Sequence, residues 1–467
     1  MKTKIKNNKG ITLIALIITI IIMLILVAVT INVVINSGLI TSAKNAGDKT
    51  RTAYKEEGHI EDKIKIGEES LTEYIENLTG EVISAKSKII DTCDANNEDM
   101  RNNENIEAVV QTKVENKTYE APIPKGFVVS KADGETDINT GLVIYKTTTT
   151  AKKPDGKDAA ILTEVNNSNV AEAKTIYDQF VWIPVEYTKT NEDKNSNGYD
   201  DGFDASYKRS DWSNNARSAK AISSSFKEPY TTEDSTVSAS LSAMKTSVYK
   251  YGGFYIARYE AGYVNSNGVN TARTTKNDLL TTPIFRQDAY PYGDVPWGTG
   301  MSDGSNGAVS LSKGYLGGSF GAVSMLCSGV AWDCVLDFIK DERNVTSSST
   351  WGNYLDSETF SITRTTAKGA ECTSSLGSFG AVSQVAKNSD ILLTTGATEI
   401  NKAKNIYDIA GNCWEWTTEA NESSFRVMRG GCSGNIAKEW PASCRNVDVQ
   451  TNATDPALSF RTTIYVK

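Results

Sequence analysis

Asn405-Ile-Tyr-Asp-Ile-Ala-Gly-Asn-Cys-Trp-Glu-Trp416 is the stretch on which the reading of this chain turns. Trp414 and Trp416 flank Glu415, and successive side chains of a strand point to opposite faces, so an extended backbone sends both indoles into one core. Outward from this stretch, from about residue 121 to the C-terminus, short apolar runs alternate with Gly, Asn, Ser and Thr, and aromatic residues become frequent. That texture predicts short strands and long loops with few helices. Strands are expected over 126–130, 142–147, 179–186, 253–259, 425–430 and 459–466. The clearest helix is expected over 328–340, where Trp332, Val335, Leu336 and Ile339 fall on one face.

Four further motifs accompany the opening stretch: Phe180-Val-Trp-Ile-Pro184, Gly253-Phe-Tyr-Ile-Ala-Arg-Tyr-Glu260, Arg426-Val-Met-Arg-Gly-Gly431 and Ser459-Phe-Arg461. Gly430 and Gly431 suit a close backbone approach, and Arg429 and Arg461 are candidates for buried pairing with carboxylates. In this order the five motifs resemble the formylglycine-generating-enzyme (sulfatase-modifying-factor) superfamily. Residues 326–339 resemble the same family's helix, with Leu326-Cys327 where the family usually has Leu-Pro. The resemblance implies a C-type-lectin-like fold with a loop-built upper surface.

Oxidising members of that superfamily bind copper(I) through two cysteines five positions apart after the Arg-Gly-Gly strand, soft thiolates suiting that ion. The matching positions here are Asn435 and Trp440, while Cys432 and Cys444 are displaced from them. Copper is therefore not expected as a cofactor and no catalytic residue is assigned, a structural disulfide or two buried thiols being the plainer reading. Members without the pair include binding modules and diversified variable proteins of bacteria and phages, in which the segment before the last Phe-Arg strand builds the ligand surface. Here that segment is 432–458, and Asn435, Trp440, Arg445, Asn446, Asp448 and Asn452 form the candidate surface, adaptable hydrogen bonders around an aromatic anchor.

Two oxygen-rich stretches suit calcium. Residues 193–204 follow the twelve-residue calcium-loop pattern, with Asp193, Asn195, Asn197, Asp201 and Asp204 as side-chain donors, Gly198 at the turn and Tyr199 offering a carbonyl. An exposed polar loop is the competing reading. The family resemblance implies a second site in the opening stretch, made by Asp408, the carbonyls of Gly411 and Cys413, and the Glu415 carboxylate.

Composition narrows the function classes. The 467 residues carry a net charge of -8, which supplies no basic footprint for nucleic acid. His59 is the single histidine, so no Ser-His-Asp triad, Cys-His pair or His-ligated zinc can be built from residues 60–467. Seven cysteines, an odd number without dense spacing, predict one or two disulfides at most.

At the N-terminus Lys2, Lys4, Lys6 and Lys9 precede an uncharged apolar run long enough for a membrane-spanning helix. The junction around Gly10 and Ile11 resembles the prepilin peptidase site of type IV pilins and pseudopilins, with Ala15 where that family usually has glutamate. The expected organisation is a prepilin leader over 1–10, a transmembrane pilin-like helix over 11–36, a helical neck and linker over 37–120, and the formylglycine-generating-enzyme-like domain over 121–467. The fold class is then α+β, with a transmembrane helix and helical neck leading to a C-type-lectin-like domain. The expected setting is a single-pass protein of the cell membrane with its C-terminal domain extracellular, or one associated with a pilus. Its partners would be the membrane through 11–36, prepilin peptidase, other pilins and an extracellular ligand. Three functions follow: a surface-anchored, non-catalytic ligand-binding protein, a copper oxidase of the formylglycine-generating type, or a minor pilin.

Overall fold

The computed structural model describes Lys65–Ile66, Glu69–Ser70 and residues 86–467, apart from 115–116, 148–150, 155, 213–225, 230–234, 274–276, 299–306, 373–375, 423, 450 and 452–454. The chain divides into two compact units, 1–83 and 84–467. In the first, Lys65–Ile66 pairs with Glu69–Ser70 as a minimal antiparallel ladder.

The second unit opens with a three-stranded antiparallel sheet where a helical neck was expected. Its strands are β1 (Lys86–Ile90), β2 (Ile106–Val114) and β3 (Lys117–Pro124). β-Branched residues decide against the helix: Ile89, Ile90, Val109, Val110, Thr112 and Val114 pack well on a pleated surface and lose χ1 freedom in a helix. The acidic stretch between β1 and β2 is no free linker either, because Ala95 and Met100 are buried in the main core. The α+β expectation with its helical neck is therefore corrected to a β-rich fold with few helices.

The anchor needs a second correction. Among the described residues no helix is long and apolar enough to cross a membrane. The 17-residue helix α3 (Ser235–Tyr251; α1 and α2 are Val170–Ile176 and Asp201–Ser206) carries Lys245 and Lys250 and several serines, short of the ~20 apolar residues a span requires. Against the transmembrane, prepilin and single-pass membrane expectations, the described residues hold no such helix. Gly10, Ile11, His59 and the 11–36 run themselves lie outside the described residues.

Two sheets organise the rest. The larger is antiparallel and six-stranded: β4 (Phe127–Val129), β5 (Val143–Lys146), β6 (Gln179–Pro184), β7 (Gly253–Ala257), then the C-terminal β13 (Thr462–Val466) and β8 (Ala322–Leu326) at the far edge. The residues of β7 are all buried, which is why they read as a continuous apolar run rather than an alternation. The smaller sheet orders β11 (Arg445–Val449), β10 (Phe425–Arg429), β9 (Trp414–Glu422) and β12 (Leu458–Phe460), with β9 and β12 parallel. Trp414 and Trp416 are both buried, as their alternation predicts. The chain leaves β12 and enters β13 across one residue, Arg461, which places its guanidinium where the two sheets meet.

After α4 (Ala308–Lys313), the helix expected over 328–340 forms as α5 (Gly329–Ile339). Ser328 caps it by accepting from the Ala331 amide at 3.0 Å, and the Glu228 carboxylate accepts from the Gly329 and Val330 amides at 2.7 and 3.1 Å. Trp332 is fully buried and donates from Nε1 to the Ala442 carbonyl at 3.0 Å, tying α5 to the segment before β11.

Candidate functional site

The 405–416 stretch builds a buried acidic centre. Arg461 holds Glu415 through two nitrogens, at 2.7 to 3.2 Å, and donates to the Ala257 and Tyr407 carbonyls at 2.9 Å each. Glu260, at the end of the β7 motif, accepts from the Asn412 amide at 2.7 Å and the Cys413 backbone N–H at 2.9 Å. Asp408 accepts from the Gly396 N–H at 2.8 Å and from Asn401 at 3.3 Å. Gly411 permits the turn: its φ is +73°, and a Cβ there would lie 2.1 Å from the Asn353 carbonyl oxygen.

Charge does not balance at this centre. Burial pushes the Glu260 carboxyl well above the ordinary range, and Asp408 and Glu415 push it further. Burial likewise raises Asp408 and Glu415, although Arg461 works against it on both. Three carboxyls thus share one guanidinium, and the buried Asn401 Oδ1 beside Asp408 has no hydrogen-bond partner. An excess of hard oxygen donors of this kind suits calcium at Asp408, Glu415 and the carbonyls of Gly411 and Cys413. Only two of those donors are carboxylates, and no three His, Cys, Asp or Glu side chains among the described residues group as metal ligands.

A second buried network lies behind α5. Asp333 pairs with Arg429 at 2.8 Å and with Arg445, while Glu419 takes Arg445 at 3.1 Å and Arg209 at 2.7 Å. Glu228 joins through Thr418, whose hydroxyl donates at 2.6 Å, and burial and the Glu419 charge raise its carboxyl. Three arginines face three acidic residues, so this network can be neutral without a foreign ion.

That placement changes the reading of the 432–458 segment. Arg445 is 2% exposed and belongs to the ionic network rather than to a ligand surface, because β11 turns it inward beside Arg429. Asn435 is spent on its own loop, its Oδ1 accepting from the Cys432 N–H at 3.0 Å. Trp440 packs edge-on against Trp414 at 5.7 Å. Asn446 and Asp448 remain half-buried on one face of β11, and Asn452 lies outside the described residues. The five described residues are not brought together on one open face.

All seven cysteines are free thiols. Cys432 and Cys444 are both buried in the main core, and burial pushes the Cys432 thiol well up, disfavouring the thiolate a copper(I) ligand must supply. Gly431 explains part of this burial. With φ +75° it lets the chain pass where a Cβ would lie 2.5 Å from the Trp440 carbonyl oxygen.

Residues 193–204 fold as a tight loop leading into α2. The Asp193 carboxylate accepts from the Asn197 and Gly198 amides at 3.0 and 2.9 Å, and Asp204 collects the side-chain amides of Asn195 and Asn197 at 3.0 and 2.7 Å. Hydrogen bonds thus link Asp193, Asn195, Asn197 and Asp204 into one cluster. Asp201 instead accepts from the Lys194 N–H at 3.0 Å. Lys245 reaches Asp204 at 2.7 Å, so an ammonium already serves the twelfth position. Burial works to raise the Asp204 carboxyl, but the bonds from Lys245, Asn195 and Asn197 outweigh it and hold the group below its usual value.

No family model, curated protein or solved structure matches this chain. Sequence reasoning missed Glu260, Asn412 and Asp333 as parts of the two networks. Glu260 ends a quoted motif, and a glutamate closing an apolar strand run was the available signal. Asp333 had one too, since an acid inside the apolar face of a predicted helix requires a buried partner.

Proposed function

We propose that residues 84–467 form a non-catalytic ligand-binding domain of the formylglycine-generating-enzyme-like kind. One observation carries this reading: the residues behind the resemblance are consumed by the scaffold. Glu415 and Arg461 are fully buried in a pair with each other, Arg429 in a pair with Asp333 and Trp416 on the Val295 carbonyl, and Cys432 and Cys444 are buried thiols rather than a pair facing a cleft. Such a frame holds its loops rigid while leaving their outer faces to vary, which is what a recognition module needs.

Calcium is the ion proposed for it, held by Asp408, Glu415 and the Gly411 and Cys413 carbonyls, with 193–204 as the second candidate. Its part would be to neutralise the acid excess and fix the turn.

Copper(I) titration of the reduced protein tests the binding-module reading against the oxidase. The expected result is no stoichiometric site that depends on Cys432 or Cys444. Stoichiometric binding lost in Cys432→Ser and in Cys444→Ser would overturn the proposal.

A further inference from the structure

Two depressions share Tyr187 as a common wall, one of about 540 Å³ and the other of about 270 Å³. Neither involves the 432–458 segment or the buried networks. Tyr187 follows β6, Tyr199 precedes α2 and Tyr249 lies on α3, and all three rings pack on the buried Phe203. Their centroids lie 5.5, 5.8 and 4.9 Å from that of Phe203. Each tyrosine stays partly exposed, so the wall is aromatic and pinned before any ligand arrives. Pre-packed tyrosines offer large amphipathic contact area at little further entropic cost.

The polar groups around this wall select the ligand. Asp99, Asn197, Thr246 and Lys250 line the larger depression with donors and acceptors whose formal charges cancel. In the smaller one Lys117 and Glu186 neutralise each other at 2.5 Å, and Glu120 is occupied by the Asn96 and Asn97 amides at 2.7 and 2.8 Å. Formal charges cancel around the larger depression and leave only the Glu120 carboxylate around the smaller, so no positive field draws a phosphate and one carboxylate is too little for a polycation. A proline-rich peptide needs slots between separated aromatic ridges. Tyr187 and Tyr249 instead stack on each other, 25° from parallel at 6.2 Å, and close the slot between them.

We infer that this groove binds a neutral oligosaccharide, the C–H faces of its pyranose rings lying on Tyr187 and Tyr249 and its hydroxyls bonding Asp99 and Lys250. A sugar ring combines an apolar face with a rim of donors and acceptors and carries no charge, which is the complement of this surface. The inference rests on the binding-module reading but places the site on different residues from the 432–458 segment.

Isothermal titration of the full-length chain with cellohexaose, maltohexaose and chitohexaose, and with a polyproline peptide for comparison, tests it. The expected result is saturable binding of at least one sugar, weakened about tenfold in Tyr249→Ala, as for an aromatic anchor at an interface. Asp99→Ala, exposed and outside the aromatic packing, should weaken the same sugar and keeps the test decisive if the tyrosine variant does not fold. Heat with none of the sugars, or with polyproline alone, overturns the inference. Sugar binding that survives both substitutions also overturns this groove, while leaving the binding-module reading standing.

Discussion

The two buried charge networks are built from the same residue types yet differ in balance. Behind α5, Arg209, Arg429 and Arg445 face Asp333, Glu419 and Glu228. Between the sheets, Arg461 alone faces Glu415, Asp408 and Glu260. The first can be complete as folded, whereas the second must hold protons or recruit a cation, because unpaired buried charge is costly. The difference teaches that burial of a motif residue does not settle its role: an acid excess is an opening for an ion, a balanced network is not.

Removing the lone guanidinium should have the largest effect. Arg461→Met leaves Glu415 and the Ala257 and Tyr407 carbonyls without their donor, and Glu260 and Asp408 without the one cation beside them. A loss of about 4–5 kcal/mol is expected in urea unfolding, the upper part of the range for breaking a buried pair. Arg445→Met should cost less, about 2–3 kcal/mol, because Arg429 and Arg209 still face Asp333 and Glu419. Equal losses in the two variants would break the distinction between the networks.

Calcium sharpens the comparison next. If the acid excess recruits the ion, calcium at about a hundred times its Kd should stabilise the protein by about 2.7 kcal/mol over chelator. Asp408→Asn should abolish that calcium-dependent rise in melting temperature, and Arg445→Met should retain it. Should Asp193→Ala abolish the rise instead, the ion belongs to the 193–204 loop. A melting temperature indifferent to calcium in the wild type would sink both sites.

Legibility followed the same divide between local and distant causes. The strands around Phe180, Phe254 and Val427 and the helix carrying Trp332 were readable because burial on both faces, or on one stripe, leaves a local pattern. Arg429 and Arg461 could be foreseen as paired, since a guanidinium inside an apolar motif requires a carboxylate. Their partners could not, because Asp333 is 96 residues from Arg429 and only the fold brings them together. Arg445 misled for the same reason: its polar surroundings in sequence suggest a surface, while strand pairing with Arg429 turns it inward. The neck expected over 37–120 misled through composition where the structure describes it, because the β-branched residues of β1 and β2 override there a helix that composition allows.

The smallest expected effect probes a carboxyl outside both networks. Burial, with Asp455 and Asp278 nearby, pushes Asp294 up from 3.8 to about 6 against the opposing pull of Arg273. A carboxyl with a raised folded pKa keeps its proton longer in the folded state, so the unfolded state binds fewer protons between the two values and stability falls as pH rises. The loss should accumulate from about pH 4 to about pH 6 and stay level above, the reverse of Glu135, which Arg258 and Lys174 hold down at about 2 despite its burial. Asp294→Asn cannot ionise and keeps a residue that tolerates the positive φ of 55° at this position. Its melting temperature should match the wild type near pH 4 and exceed it by a few degrees at pH 7, a modest shift for a partly buried group. A difference that is constant across that range would show that Asp294 does not titrate there.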